Sequence, residues 1–276
     1  MKNIEQHSQL GKEVQYDSQY NANILFPIPR KNKRDEIGIS GPLPFYGMDI
    51  WNHYEVSWLN PKGKPVVALA EISYDCASPC IIESKSMKLY FNSFNQTQFD
   101  GFEDIQAIIQ KDIEAKVGSS VFVRVFSLDS VPNEKLLTHI EGICLDELDV
   151  KCTSYLVDSS FLRTKNKTVS ETLYSNLLKS NCSVTNQPDW GTVLIDYKGN
   201  QIDHEGLLKY LVSFRNHNEF HEQCIERIFI DILRYCQPDE LTVYGRYTRR
   251  GGLDINPYRT TCKQYSRIDN ARLLRQ

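Results

Sequence analysis

The strongest constraint on fold in these 276 residues is one order of elements that is written twice. In the first pass Asn52 to Leu59 reads as a strand, Asn60-Pro-Lys-Gly-Lys64 as a turn and Pro65 to Tyr74 as the partner strand. Apolar residues then recur at helical spacing over Glu83 to Phe94 and Phe102 to Ala115, and Ser120 to Phe126 reads as a strand. In the second pass Leu177 to Val184 and Thr192 to Tyr197 read as strands, with Lys198-Gly-Asn200 as a turn. Glu205 to Phe214 and Glu219 to Tyr235 read as helices, and Leu241 to Tyr247 as a strand. The second of those helices carries a core stripe of Phe220, Cys224, Ile225, Ile228, Phe229, Ile232 and Leu233. A sequence echo accompanies the repeat: Tyr90-Phe-Asn-Ser93-Phe94 returns as Tyr210-Leu-Val-Ser213-Phe214. Paired strands with helices between them predict an α+β fold of two ββααββ modules with antiparallel sheet. The modules are expected at 45–165 and 166–276. Residues 1–44, rich in proline and holding the basic run Arg30-Lys-Asn-Lys-Arg34, read as an extended arm with little core.

Composition narrows the classes. The chain is 41% hydrophobic and 24% charged with a formal net charge of -3, so no strong general attraction to nucleic acid is expected. No apolar run reaches membrane-spanning length, and Met1 to Gln19 is too polar for a signal peptide, which points to the cytoplasm. In such a chain the eight cysteines are expected reduced. Cys76 and Cys80 have no matching second pair, so structural zinc is not indicated.

Cys182 stands out among the thiols. Its neighbours Ser180, Asn181 and Ser183 are small and polar, which reads as a partly accessible thiol, and Asp189 follows seven positions on. A thiol attacks as thiolate, so a nearby carboxylate that accepts its proton completes a minimal covalent catalyst. A strand thiol and a turn aspartate are the alternative. His217 and His221 are four apart and would share a helix face, but Asn218 stands where a zinc-protease glutamate belongs. Glu222 can accept two N–H bonds from an amidine-like edge such as guanine presents. Backbone amides at a helix start beside Ser84 and Lys85 could hold a phosphate. So could Arg246, Arg249 and Arg250 beside Gly251 and Gly252. Neither a Rossmann nor a P-loop glycine motif occurs.

Four blocks, taken together, resemble the NADPH-dependent 7-cyano-7-deazaguanine reductases in their long, two-module form. They are Glu83-Ser-Lys-Ser-Met-Lys-Leu-Tyr90, Ser180-Asn-Cys182 with Gln187-Pro-Asp189-Trp190, Phe220-His-Glu222-Gln, and Arg249-Arg-Gly-Gly-Leu-Asp-Ile-Asn-Pro257. The resemblance implies two tandem tunnelling-fold modules, expected to form a homodimer, that reduce a nitrile to a primary amine in queuosine biosynthesis, a tRNA modification. It implies that Cys182 forms a thioimide and that Asp189 shuttles protons. It implies that Ile82, Glu83, Ser84, His221 and Glu222 bind the deazaguanine, that Ser84, Lys85, Arg250 and Gly251 hold NADPH, and that no metal, nucleic acid or membrane takes part. Two other readings stay open: a zinc-dependent GTP cyclohydrolase or pterin enzyme using His217, His221 and Cys224, and a non-catalytic purine or RNA module using Arg246 to Arg250.

Overall fold

The computed structural model describes residues 17–130, 136–137, 139–264, 268 and 270–276. The chain is mixed α+β, with antiparallel sheet and few helices. In chain order its elements are β1 (Pro27–Pro29), α1 (Lys31–Glu36), β2 (Tyr46–Leu59), β3 (Pro65–Asp75), β4 (Cys80–Ile82), α2 (Ser84–Ser93), α3 (Phe102–Val117) and β5 (Val121–Phe126). Then follow β6 (Ile143–Cys144), β7 (Thr164–Asn181), β8 (Pro188–Ile202), α4 (His204–Ser213), α5 (His221–Cys236), β9 (Glu240–Tyr247) and β10 (Leu253–Thr260). Two compact units result. The first takes in the described residues up to Lys33, those from Asp49 to 130, and Arg249–Asp254. The second takes in Arg34–Met48, the described residues from 136 to Thr248, and those from Ile255 onward.

In the first unit the Asn60 side chain closes the β2–β3 hairpin, accepting from Lys62 N and Lys64 N at 3.0 Å each. β3 pairs antiparallel with β5, Tyr74 opposite Val121. Ala68, Ala70, Ile72 and Tyr74 alternate along β3 and are buried, as a half-buried strand demands. On α3, Ile105, Ile109, Ile113 and Val117 recur every four residues and are fully buried, and the helix packs against β5. Each such side chain contributes about 1.5–3 kcal/mol by leaving water.

In the second unit β7 and β8 form a long hairpin, with Ser180 opposite Asp189, and β8 pairs with β9, Gly191 opposite Tyr247. β10 pairs antiparallel with β9. The buried stripe of α5 (Cys224, Ile225, Ile228, Phe229, Ile232) packs onto β9.

The sequence echo has a physical counterpart in matching hydrogen bonds. Tyr90 donates to Asp112 Oδ2 at 2.7 Å, and Tyr210 donates to Asp231 Oδ2 at 2.7 Å. Ser93 Oγ donates to Tyr90 O and Ser213 Oγ to Tyr210 O, each at 2.6 Å. Each serine also accepts a backbone amide, from Asn21 in one unit and Asp158 in the other. Those two residues each cap a 3-10 turn, Ala22–Ile24 and Ser159–Phe161. Glu83 N donates to Phe26 O and Asp203 N to Arg163 O.

Several expectations need correction. The strand expected over Leu177 to Val184 runs instead from Thr164 to Asn181 and stops one residue before Cys182. Its first half is polar and mostly exposed, so no burial pattern announces it; pairing with β8 makes it a strand. Lys198-Gly-Asn200 is no turn but lies inside β8, where Pro238 crowds the position of the missing Gly199 side chain. Leu253–Thr260 is a strand rather than only a basic strip; Asp254, Asn256 and Pro257 hide it, though all three are buried.

The arm is also more than extended chain. Residues 1–16 of it lie outside the described residues, but Leu25, Ile28, Ile37 and Ile39 are buried. Arg30 donates to Asp49 at 2.5 Å in the first unit. In the second unit Arg34 grips Glu226 at 2.9 and 2.7 Å, and Arg259 reaches the same carboxylate at 2.9 Å. Both guanidiniums lie over the Phe45 ring. The arm reads as polar because its buried charges are paired, and paired charge can be buried.

Candidate active site

In the second unit Cys182 directly follows β7. Its N–H donates to Gln187 O at 2.9 Å and its carbonyl accepts from Asn186 N at 3.1 Å, which closes the turn into β8. Asn186 takes a left-handed backbone there, φ 54°, a conformation asparagine tolerates well. Asn181, one residue before the thiol, is pinned to the stretch that leads into α5: its N–H donates to His217 O at 2.8 Å, and its carbonyl accepts from Glu219 N at 3.2 Å. Asn181 Oδ1 also accepts from Lys179 Nζ at 2.6 Å. Cys182 is 6% exposed, so the partly accessible thiol expected from its polar neighbours is in fact buried. Asn181 spends its polarity on hydrogen bonds rather than on solvent, and Ser180 is fully buried.

Asp189 sits on the second residue of β8 and is also buried. His221 Nε2 stands 3.4 Å from its Oδ1. His221 and Glu222 open α5, and Glu222 is 2% exposed, so it is no solvated surface glutamate. The second unit thus gathers Cys182, Asp189, His221 and Glu222 on two strand ends and one helix start.

His217 and His221 do not share a helix face, as their spacing predicts. His217 ends a 3-10 turn before α5 and pairs with Glu219 at 2.9 Å, whereas His221 turns to Asp189. Among the described residues no group of three His, Cys, Asp or Glu side chains is placed to hold a metal. Cys224, the third residue of that alternative, is fully buried and its thiol is pushed up by burial and by Glu219.

Sequence reasoning passed over Glu219. It is 1% exposed and holds Arg227 at 2.5 and 3.1 Å. Burial raises its carboxyl, but His217 and Arg227 outweigh that and hold it at about 2. It anchors the segment that fixes Asn181. The only signal was its i, i+8 spacing to Arg227, which spans two helical turns and is rarely read.

In the first unit Ile82 ends β4 and is buried, and Glu83 caps α2. The Glu83 carboxylate accepts from Lys85 N at 2.8 Å and Ser86 N at 2.7 Å. Those amides are therefore filled by the chain itself, and the phosphate reading of this helix start keeps only the Ser84 hydroxyl and the Lys85 ammonium. Burial raises the Glu83 carboxyl despite those two bonds and the nearby Lys88 and Lys85. Arg250, Gly251 and Gly252 form a turn closed by Arg250 N to Leu253 O at 2.9 Å. Gly251 and Gly252 have φ 61° and 77°, backbone that favours glycine. A Cβ on Gly251 would come within 2.9 Å of Lys88 Cε, and one on Gly252 within 2.5 Å of Glu55 Cδ. Lys88 lies along this turn, inside the quoted block but not singled out there. Arg249 stacks on Tyr54 at 4.8 Å.

The two units differ at one matching position. Leu59 N to Thr97 O in the first repeats Asn181 N to His217 O in the second. The residue after Leu59 is Asn60, where the second unit has the candidate thiol Cys182.

Comparison with known proteins places this arrangement. Residues 16–125 match the family model described as nitrile reductase, 7-cyano-7-deazaguanine-reductase N-term, and residues 188–266 match one described as QueF-like protein. A NADPH-dependent 7-cyano-7-deazaguanine reductase of Legionella pneumophila is 61% identical over 275 residues, covering 99% of this chain and 96% of the relative. The chain belongs to the 7-cyano-7-deazaguanine reductase family. Reductases of the same name from a Polaromonas species and from Burkholderia thailandensis are each 54% identical over 276 residues. The reductase likeness runs through both units and spans the four blocks that carry the candidate site.

Proposed function

We propose that this chain reduces the nitrile of 7-cyano-7-deazaguanine to the primary amine 7-aminomethyl-7-deazaguanine, with NADPH as reductant, in tRNA queuosine biosynthesis. The chain's membership of the reductase family supports the reaction. The observation that carries the site assignment is the convergence of the buried Cys182, Asp189, His221 and Glu222 in one unit, with His221 Nε2 3.4 Å from Asp189.

Cys182 Sγ adds to the nitrile carbon, and Asp189 passes the thiol proton to the nitrile nitrogen, giving a thioimide. NADPH, when bound, would supply hydride twice; between the two transfers the C–S bond breaks, Cys182 leaving as thiolate and regaining its proton, so that the second hydride reduces the released C=N to the amine. Burial of Cys182 and Asp189 keeps water from the C=N carbon between the two reductions, where hydrolysis would end the reaction. Asp189 takes a proton in one step and returns one in another. Glu222 accepts from the N–H edge of the deazaguanine; His221 in the second unit and Ile82, Glu83 and Ser84 in the first are the other proposed substrate contacts. The left-handed Gly251–Gly252 turn under Lys88, with Arg249 and Arg250, fits phosphates, and Ser84, Lys85, Arg250 and Gly251 are the proposed NADPH contacts.

The fold reading is that of two tandem tunnelling-fold modules, 45–165 and 166–276. The repeated hydrogen bonds support it, with a matching leader residue before each module's first helix, Asn21 and Asp158. A homodimer and a cytoplasmic setting complete the proposal; no helix among the described residues is long and apolar enough to cross a membrane. The test is NADPH oxidation on adding the nitrile, with two NADPH consumed per nitrile. No nitrile-dependent oxidation overturns the reading.

A further inference from the structure

In the second unit the ring of Tyr247 lies over two glycines. A Cβ on Gly191, its cross-strand partner, would stand 3.2 Å from Cδ1 and 3.3 Å from Cε1. A Cβ on Gly245, two residues back on β9, would stand 3.2 Å from Cε2. The absent side chains let the ring settle onto the sheet. The His221 imidazole lies on its other side, centroids 3.8 Å apart and planes 5° apart. Tyr247 is 0% exposed, and its hydroxyl lies beside the Cys224 thiol, away from any solvent role. His221 in turn reaches Asp189 through Nε2, while its Nδ1 is buried with no hydrogen-bond partner among the described residues. That leaves the stack as the contact that can set the imidazole plane.

We propose that Tyr247 is a positioning residue: its ring, seated on Gly191 and Gly245, fixes the imidazole plane of His221 and thereby the His221–Asp189 contact. This deepens the nitrile reductase reading and rests on it for the kinetic consequence. The ring carries the role, and the hydroxyl does not. The imidazole has one lateral contact and one stacked face, so removing the face frees it to rotate about its Cβ–Cγ bond. A small misplacement of a reacting group can cost on the order of 100-fold in rate.

The test uses the full chain with Tyr247→Leu, Tyr247→Phe, His221→Ala and the double variant Tyr247→Leu/His221→Ala. By NMR, the wild-type His221 ring C–H resonances sit upfield because they lie over an aromatic face. Tyr247→Leu moves them downfield and Tyr247→Phe restores them. This arm needs no turnover, so it reads the stack even if the nitrile is no substrate, in which case only the reaction reading fails. In kinetics, Tyr247→Leu lowers kcat/KM for the nitrile about tenfold or more, and Tyr247→Phe recovers most of that loss. In the double variant the leucine adds nothing to His221→Ala, because its effect passes through the imidazole. Should Tyr247→Leu fail to fold, Tyr247→Met removes the aromatic face with a similar volume and gives the same downfield shift. Additive effects in the double variant, or His221 resonances indifferent to both Tyr247→Leu and Tyr247→Met, overturn the proposal.

Discussion

At the scale of single residues, the candidate site is a set of buried polar groups whose partners come from other segments. Glu222 is the sharpest case. A carboxylate that meets two N–H groups of a ligand is worth about 1.5–3 kcal/mol per charged hydrogen bond. Glu222→Gln replaces one acceptor by a donor facing a donor. Its expected effect is a rise of about tenfold or more in KM for the nitrile, while intact mass still shows the adduct on Cys182 at saturating ligand. An unchanged KM removes Glu222 from recognition. Glu219 makes a pH prediction. Its carboxyl is held at about 2 by His217 and Arg227 against an ordinary value of 4.5, so its folded pKa is depressed. Its stabilisation is fully present above 4.5 and is lost as pH falls toward 2, on the order of 3 kcal/mol. In Glu219→Gln, melting temperature should fall at neutral pH and show a weaker dependence on pH between 4.5 and 2 than wild type. Glu222 and Cys182 stand out as candidates in the sequence because they lie in short blocks of unusual composition. Glu219 does not, because its partner Arg227 lies eight residues on and its burial depends on tertiary packing.

At the scale of elements, the matched tyrosine–aspartate pairs tie the first helix of each unit to the second. Tyr210 donates to Asp231 at 2.7 Å. Asp112 has two donors, Tyr90 at 2.7 Å and Tyr20 at 2.6 Å. Tyr210→Phe should therefore cost about 1.5–3 kcal/mol, and Tyr90→Phe less, since Tyr20 still satisfies Asp112. Denaturant unfolding of the two variants measures the difference. Equal losses would mean that the Tyr20 bond contributes nothing. The helices were legible because a stripe such as Ile105, Ile109, Ile113 survives any context. The strands were less so. β7 begins in exposed polar residues, and β10 buries Asp254, Asn256 and Arg259. Periodicity reads burial, and these strands break the link between burial and apolarity.

At the scale of the whole molecule, the mixed α+β chain carries its candidate thiol in the second unit, with Asn60 at the matching place in the first. The arm belongs to the fold. Breaking the Arg34–Glu226–Arg259 cluster with Glu226→Gln leaves two buried guanidiniums short of their counter-charge, and about 3–5 kcal/mol of stability should go with it. A melting temperature unchanged from wild type would contradict the buried pairing. Cys182 is proposed to form the covalent bond on which the reduction depends. Intact mass of the protein incubated with 7-cyano-7-deazaguanine and no NADPH reads that bond. The expected result is a gain of one nitrile per chain in the wild type and none in Cys182→Ala, with NADPH then discharging the adduct. An adduct of the same mass in Cys182→Ala would contradict it.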